Sequence, residues 1–431
     1  MASTYLTSGN LSSAGNQKKW TFSAWLKKAT TGVDNAFFGY YVGSTNYFIG
    51  QWRSDDLLRF GNVDGGSWSV ELAPNAVYRD LNAWYHVVFQ YDSAQATSSN
   101  RASLWVNGEK QSSFATEVYP SQNANTKIPN AGYPITIGRG TKGSNTYYLN
   151  GCMSHVHFCD GYAYQASDFG ETDATTGEWK IKTEPSVSYG TNGFFLLKDD
   201  NAVTDRSGQG NNFTLGGGTL TKTEDCPSNV FCTANPLSSG NSEAFNGNTN
   251  IFFDDTGQWR AMYSTLGASS GKYYMEAKVD AVGGEASIGV IPAERAALNQ
   301  DTGDYLGKET DSVGYLNNGR IFKSNSQLET GLASMSSGTI VGISLNLDAN
   351  TVQFYNNDSA VGSAVSLNAD TTYLFGFSGY SDTRFYANFG NGYFHTTAVS
   401  SAGTNASGNG IFEYDVKPSD ATALSTKGLN L

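Results

Sequence analysis

The segment KWTFSAWLKK (19–28) places Trp20, Phe22 and Ala24 on one side of an extended chain at a period of two, the repeat of a β-strand. The run NAWYHVVFQYD (82–92) alternates in the same way. It sets Trp84, His86, Val88 and Gln90 against Tyr85, Val87, Phe89 and Tyr91. Both sides carry bulky groups, so the pattern predicts strands of a sheet covered on one or both faces. A further strand, Ala102–Val106, runs into Asn107-Gly108, a pair that tolerates the positive φ of a two-residue hairpin turn.

Short strands of this kind recur up to residue 165: NAFFGYYVG (35–43), NYFIGQW (46–52), LLRFGNV (57–63), YPITIGRG (133–140) and YYLNGCMSHVHFCDGY (147–162). The last alternates Met153, His155 and His157 with Ser154, Val156 and Phe158. Residues 166–190 are polar and turn-rich and read as a bridging loop. The strand Phe194–Leu197 needs a partner sheet, which carries the first domain to residue 222. Residues 223–245 read as a linker. A second series of strands fills 246–396, where GKYYMEAKVD (271–280) sets Tyr273, Met275, Ala277 and Val279 against Tyr274, Glu276 and Lys278. Asn317-Asn318-Gly319 and Asp348-Ala349-Asn350 are predicted hairpin turns. Residues 397–431 read as a tail, where PSDATALSTKGLNL echoes PSNVFCTANPL (227–237). No segment has a helical pattern. The expected fold class is all-β, with two antiparallel β-sandwich (jelly-roll) domains.

Composition narrows the function. A chain of 431 residues has room for two or three domains. Only 15% of its residues are charged, against roughly 25% in an ordinary soluble protein. With 49 glycines and 13% aromatics, this is the composition of short aromatic strands joined by small polar turns. The net charge of −12 argues against nucleic acid and against anionic membrane surfaces, both of which require a basic face. MASTYLTSGNL lacks the basic start and apolar stretch of a signal peptide, and no apolar run approaches about 18 residues. Cytosolic assembly without membrane insertion is therefore expected. The cysteines Cys152, Cys159, Cys226 and Cys232 have no metal-site spacing and are expected to be free thiols.

Residues 15–160 resemble laminin-G-like, concanavalin A-type jelly rolls. The resemblance rests on FSAW (22–25), NAWYHVVFQYD, the hairpin ASLWVNGEK (102–110), ITIGRG (135–140) and LNGCMSHVHFCDG (149–161). The loop Asp205–Asn212 is similar to the DxSGxGN turn of those modules. Residues 270–394 resemble a SPRY domain through GKYYMEAKV, ASIGVI, SVGY with NNGRIF, IVGISLNLDANTVQFYNND and the closing ANFGNGYF. With the bridge DFGETDATTGEWKIK (168–182) leading to YGTNGFFLLKDD (189–200), the arrangement is similar to virion structural proteins of marine tailed phages. That family includes tail-fibre and head-decorating components. The resemblance implies a concanavalin A-like sandwich followed by a SPRY-like one.

Candidate chemistry follows from these resemblances. Retaining glycoside hydrolases of the concanavalin type align two carboxyls on one strand, and the nearest match here is Glu171-x-Asp173 with Glu178. Glu178 has the opposite parity and lies behind Gly177, so a glucanase site is not expected. His155-x-His157 offers half a zinc site, with Cys159 and Asp160 near, but reads better as an interface or hydrogen-bonded pair. His86 reads as a satisfied core or edge histidine. No serine elbow leads into a helix, and GGGTL lacks a phosphate-loop lysine. Laminin-G modules commonly hold a cation on loop oxygens, so Ca²⁺ is the one cofactor considered. Its candidate ligands are Asp92, Asp199 and Asp205, with Asn62, Asp64 and Asp200 beside them. The acidic loop Asp301, Asp304, Glu309 and Asp311 reads as solvated.

Trp52, Trp68, Tyr147 and Tyr148, with Tyr40 and Tyr41, are candidate platforms for sugar rings. In SPRY-like domains binding is made by loops, here 291–310 and 319–330, with Tyr305 and Arg320 as anchors. The expected function is a non-enzymatic adhesion protein on the virion surface, made in the host cytoplasm and homo-oligomeric. It would bind host surface glycan weakly through loops, with copy number supplying avidity, and would contact other virion proteins. The alternatives are a purely structural decoration subunit and a polysaccharide-cleaving enzyme.

Overall fold

The computed structural model describes residues 3–199, 201–238, 242–254, 257–296 and 305–430. It divides into two compact units, Met1–Lys222 and Thr223–Leu431, and each is an all-β sandwich of antiparallel sheets. Among the described residues two four-residue α-helices, Ala166–Phe169 and Ala293–Ala296, interrupt the strands.

In the first unit an eight-stranded sheet faces a six-stranded one. The six-stranded sheet is built on Lys19–Lys28, which pairs with Tyr85–Asp92 on one side and Gly151–Asp160 on the other. The predicted alternation holds. Trp20, Phe22 and Ala24 point into the core together with Val87, Phe89 and Tyr91. Trp20 lies there between Phe48, Phe89 and Phe158, with ring centroids 5.0 to 5.5 Å away. Its indole N–H donates to Thr126 Oγ1 at 2.9 Å, so this buried indole leaves no orphan donor. Asn107 and Gly108 both take positive φ, 48° and 84°, and join Ala102–Val106 to Glu109–Lys110.

The other face of this sheet is also covered. The stretch expected as a bridging loop, 166–190, is instead a strap across it. Gly170–Thr172 pairs with Trp179–Ile181 as a small hairpin. Phe169, Tyr189 and Trp179 pack onto Val88, Trp105 and Phe195. The segment looked like a loop because its apolar residues are too few and too far apart to show a strand period.

The second unit pairs a seven-stranded with an eight-stranded sheet. Tyr273, Met275, Ala277 and Val279 face its core. The linker and tail expectations need correcting, because 223–245 and 397–431 are both built into this unit. Phe231 packs with Tyr274, Phe412, Val416 and Ala423. Thr422–Ala423 adds in parallel to Lys272–Ala281. The two echoing segments lie against each other: Cys232 N–H donates to Leu424 O at 2.9 Å, and Thr426 N–H to Val230 O at 3.0 Å. Glu276, fully buried, accepts the backbone N–H groups of Glu413 and Tyr414 at 2.7 and 2.8 Å and so ties the C-terminal segment down.

Both units share one turn. In Asp205-Arg-Ser207-Gly, the Asp205 carboxylate accepts from Ser207 N–H at 2.8 Å and Ser207 Oγ–H at 2.7 Å. In Asn405-Ala-Ser407-Gly, Asn405 Oδ1 accepts the same two groups at 3.2 and 2.7 Å. Gly208, Gly210, Gly408 and Gly410 all have positive φ, which makes a side chain costly there.

Candidate binding sites

Outward-facing residues of the six-stranded sheet line a cleft of about 460 Å³. Strand parity sends Gln90 and Asp92, then Ser103 and Trp105, to this side; Lys110 comes from the hairpin and Gln165 from the start of the strap. The Asp92 carboxylate is held by Lys19 at 3.2 Å and by Gln95 Nε2 at 2.9 Å. The Lys110 ammonium lies 5.7 Å from the Trp105 ring centre. Amide, hydroxyl, carboxylate and ammonium groups thus surround one indole.

Along the same face the strap is pinned by one residue. Trp179 lies against Gly108 and Gly170, where an added Cβ would come within 2.5 Å of its ring. Its Nε1–H donates to His86 Nδ1 at 3.0 Å. That bond fixes the imidazole proton on Nε2, which donates to Ser23 Oγ at 2.9 Å. His86 also stacks on Trp25, centroids 4.9 Å apart. Burial pulls its pKa down to about 3, so it is a neutral, satisfied core histidine.

The imidazoles of His155 and His157 are engaged within the protein. His157 Nδ1 bonds the Tyr189 hydroxyl at 2.9 Å, and the strand shifts register between Ser154 and His157. Burial holds the pKa of both imidazoles below the usual value. Among the described residues no group of three His, Cys, Asp or Glu side chains is placed to hold a metal ion. The calcium candidates are accordingly apart and occupied. Asp92 pairs with Lys19, and Asp199 with Arg206 at 3.4 Å. Asp205 is buried and accepts the N–H groups of Phe195, Ser207 and Asn211. Asn62 Oδ1 accepts from Lys127 N–H, and Asp64 pairs with the same lysine's ammonium. Asp200, Asp301 and Asp304 lie outside the described residues. The four cysteines are free thiols, Cys159 and Cys232 buried.

Glu171 and Glu178 are exposed, and Asp173 caps its own turn through the N–H groups of Thr175 and Thr176. No facing carboxyl pair results.

The aromatic candidates separate. Trp52 is 1% exposed and sits in the core against Phe37, because its strand parity turns it inward; it is not a platform. Tyr40 is likewise core. Trp68 and Tyr147 come together, half-buried, on the outer face of the eight-stranded sheet with Tyr47, Ile49 and Val63. Tyr148, on the other side of its strand, packs on Tyr5, centroids 6.0 Å apart. Tyr305 lies between Trp259 and Phe322, at 5.2 and 5.7 Å. Arg320 is exposed at the start of its strand. The sequence reading missed Gln90, Trp105, Lys110 and Trp179. Strand parity alone flagged Gln90; nothing local distinguished the others from surface or core residues.

The fold defines a two-module β-sandwich protein. The modules match known families: residues 1–167 match the concanavalin A-like lectin/glucanases superfamily, and residues 272–392 match the SPRY domain family, module types that typically bind. No curated protein matches the chain. Among solved structures, the SPRY domain of human HERC1 is similar at 16% identity, over 36% of this chain and 96% of that one, with a TM-score of 0.30. A heptameric SAP-like pentraxin from Limulus polyphemus is similar at 16% identity, over 38% of this chain and 71% of that one, with a TM-score of 0.28.

Proposed function

We propose that this is a non-enzymatic adhesion protein of a phage particle, which binds host surface glycan weakly and in many copies. The cleft of the first unit carries the reading. Sugar hydroxyls both donate and accept, and the cleft offers Gln90, Gln165, Ser103 and Asp92 beside the edge of the Trp105 indole, which is itself only 6% exposed, a mixture suited to reading hydroxyls rather than to stacking a ring. A single such site is weak, and display of a homo-oligomer among other virion proteins multiplies it. The protein would be assembled in the host cytoplasm and exposed on the virion surface. The reading requires no bound cofactor, Ca²⁺ included.

A glycan array probed with the folded oligomer tests the reading. Binding to a defined set of surface glycans, reduced by Lys110→Ala, is expected. A blank array from a well-folded oligomer would sink it and leave the structural decoration subunit as the better account. Release of reducing ends from host exopolysaccharide would show that the protein is an enzyme.

A further inference from the structure

We propose a second saccharide site on the first unit, on the outer face of its eight-stranded sheet at Gln51, Arg59 and Trp68, taking a neutral pyranose. Parity places these residues there. Phe48 and Trp52 on one strand, and Leu58 and Phe60 on the next, face the core, so Gln51 and Arg59 face outward. They are direct partners across the two strands.

Both side chains are buried, Gln51 at 0% and Arg59 at 5% exposure. Each is half satisfied. Gln51 Nε2 donates to Asp34 Oδ1 at 3.0 Å, and Arg59 Nη1 to Glu71 Oε1 at 3.3 Å. Gln51 Oε1 and Arg59 Nε have no partner among the described residues. A buried orphan donor and a buried orphan acceptor on neighbouring strands are costly unless something fills the gap. One atom satisfies both if it accepts from Arg59 Nε–H and donates to Gln51 Oε1. A carboxylate cannot donate and an ammonium cannot accept, which leaves a hydroxyl or a water.

The surroundings favour the hydroxyl of a ring. The Trp68 indole lies over Gly61, where an added Cβ would come within 2.4 Å of it. The Arg59 guanidinium is 5.0 Å from its ring centre. Tyr47 stands edge-on to it at 6.0 Å, and Tyr147 closes the same cluster. Half-buried Trp68 and Tyr147 beside a hydroxyl-reading pair provide a stacking surface for the C–H face of a sugar. Arg53 pairs with Asp55 and Arg59 with Glu71, while Lys142 feels the charges of Arg59 and Arg53 as well as those of Asp34 and Glu71. Three cations stand against three carboxylates, so the patch has no net charge to select an ionic ligand.

The test is the Arg59 Nε–H resonance of the full chain, titrated with the methyl glycosides of glucose, galactose and mannose. That resonance reports on this site, whereas the Lys110→Ala comparison on the array reports on the cleft, so the two outcomes are separable. A saturable shift with at least one glycoside is expected, weakened about tenfold or more in Trp68→Ala. Should that variant fold poorly, Tyr147→Ala is expected to weaken the same shift. A resonance unmoved by all three glycosides would mean that a structural water alone fills the gap, and would overturn the proposal.

Discussion

Replacing Trp179 by Phe removes one hydrogen bond and keeps most of a ring, so it isolates the contact that pins the strap. In the native unit Trp179 Nε1–H is the donor to His86 Nδ1, and His86 is fully buried. Without the donor, Nδ1 becomes a buried acceptor with no partner, which costs about 1–3 kcal/mol. Trp179→Ala would lose ring packing as well, roughly 2 kcal/mol more for a half-buried indole. The assay is amide hydrogen exchange at Val88 and Phe195, which lie under the strap, because two units need not unfold as one.

Titration of His86 gives a second readout. Its folded pKa of about 3 lies below the ordinary imidazole value of 6.5, so the folded unit binds fewer protons than the unfolded chain. The stability from this group is therefore fully present above pH 6.5 and is lost as pH falls toward 3. Protonating Nδ1 would also set two N–H donors against each other. Trp179→Phe relieves that conflict, so the His86 pKa should rise and its share of the acid sensitivity should shrink. Unchanged exchange at Val88 together with an unmoved His86 titration would refute the claim that this bond holds the strap.

In the second unit, burial raises the Glu276 pKa from 4.5 to about 7. Its contribution is fully present below pH 4.5 and is lost as pH rises through 7. Glu276→Gln should remove that dependence; an unaltered pH profile of stability would count against it. Gly108→Ala puts a methyl where φ is 84° and Trp179 is 2.5 Å away, so a loss of about 1–3 kcal/mol in denaturant unfolding of the first unit is expected. Adding Ca²⁺ or a chelator should leave thermal unfolding unchanged, since Asp205 already accepts several donors; a clear upward shift with Ca²⁺ would contradict this. Glu171→Gln should leave any reducing-end signal from exopolysaccharide where the unmodified protein sets it, and loss of such a signal would restore the catalytic reading of that segment.

Much of the fold was legible because strand parity is a local property. Trp20, Phe22 and Ala24 needed only a period of two to share a face, and Asn107-Gly108 needed only its tolerance of positive φ. The sites were less legible. Trp52 and Trp68 look alike in sequence, yet one is core and the other half-exposed, because the faces of their strands are fixed by which sheet lies behind them. Asp92, Asp199 and Asp205 share a residue type but not a place. The linker and tail looked polar and irregular because each borrows its order from the other across nearly the whole second unit.

The sequence by itself determined that this chain makes short, aromatic-rich strands, that they fall into two series, and that Glu178 falls out of parity with Glu171 and Asp173. Those are consequences of side-chain alternation and turn chemistry, which act over a few residues. Only the tertiary structure decided that Trp179 crosses to His86, that Gln51 meets Arg59 with two polar atoms left unpaired, and that the polar stretch 166–190 covers a sheet. Register and coverage depend on contacts between residues far apart in the chain, and no local pattern encodes which of many similar strands will be neighbours.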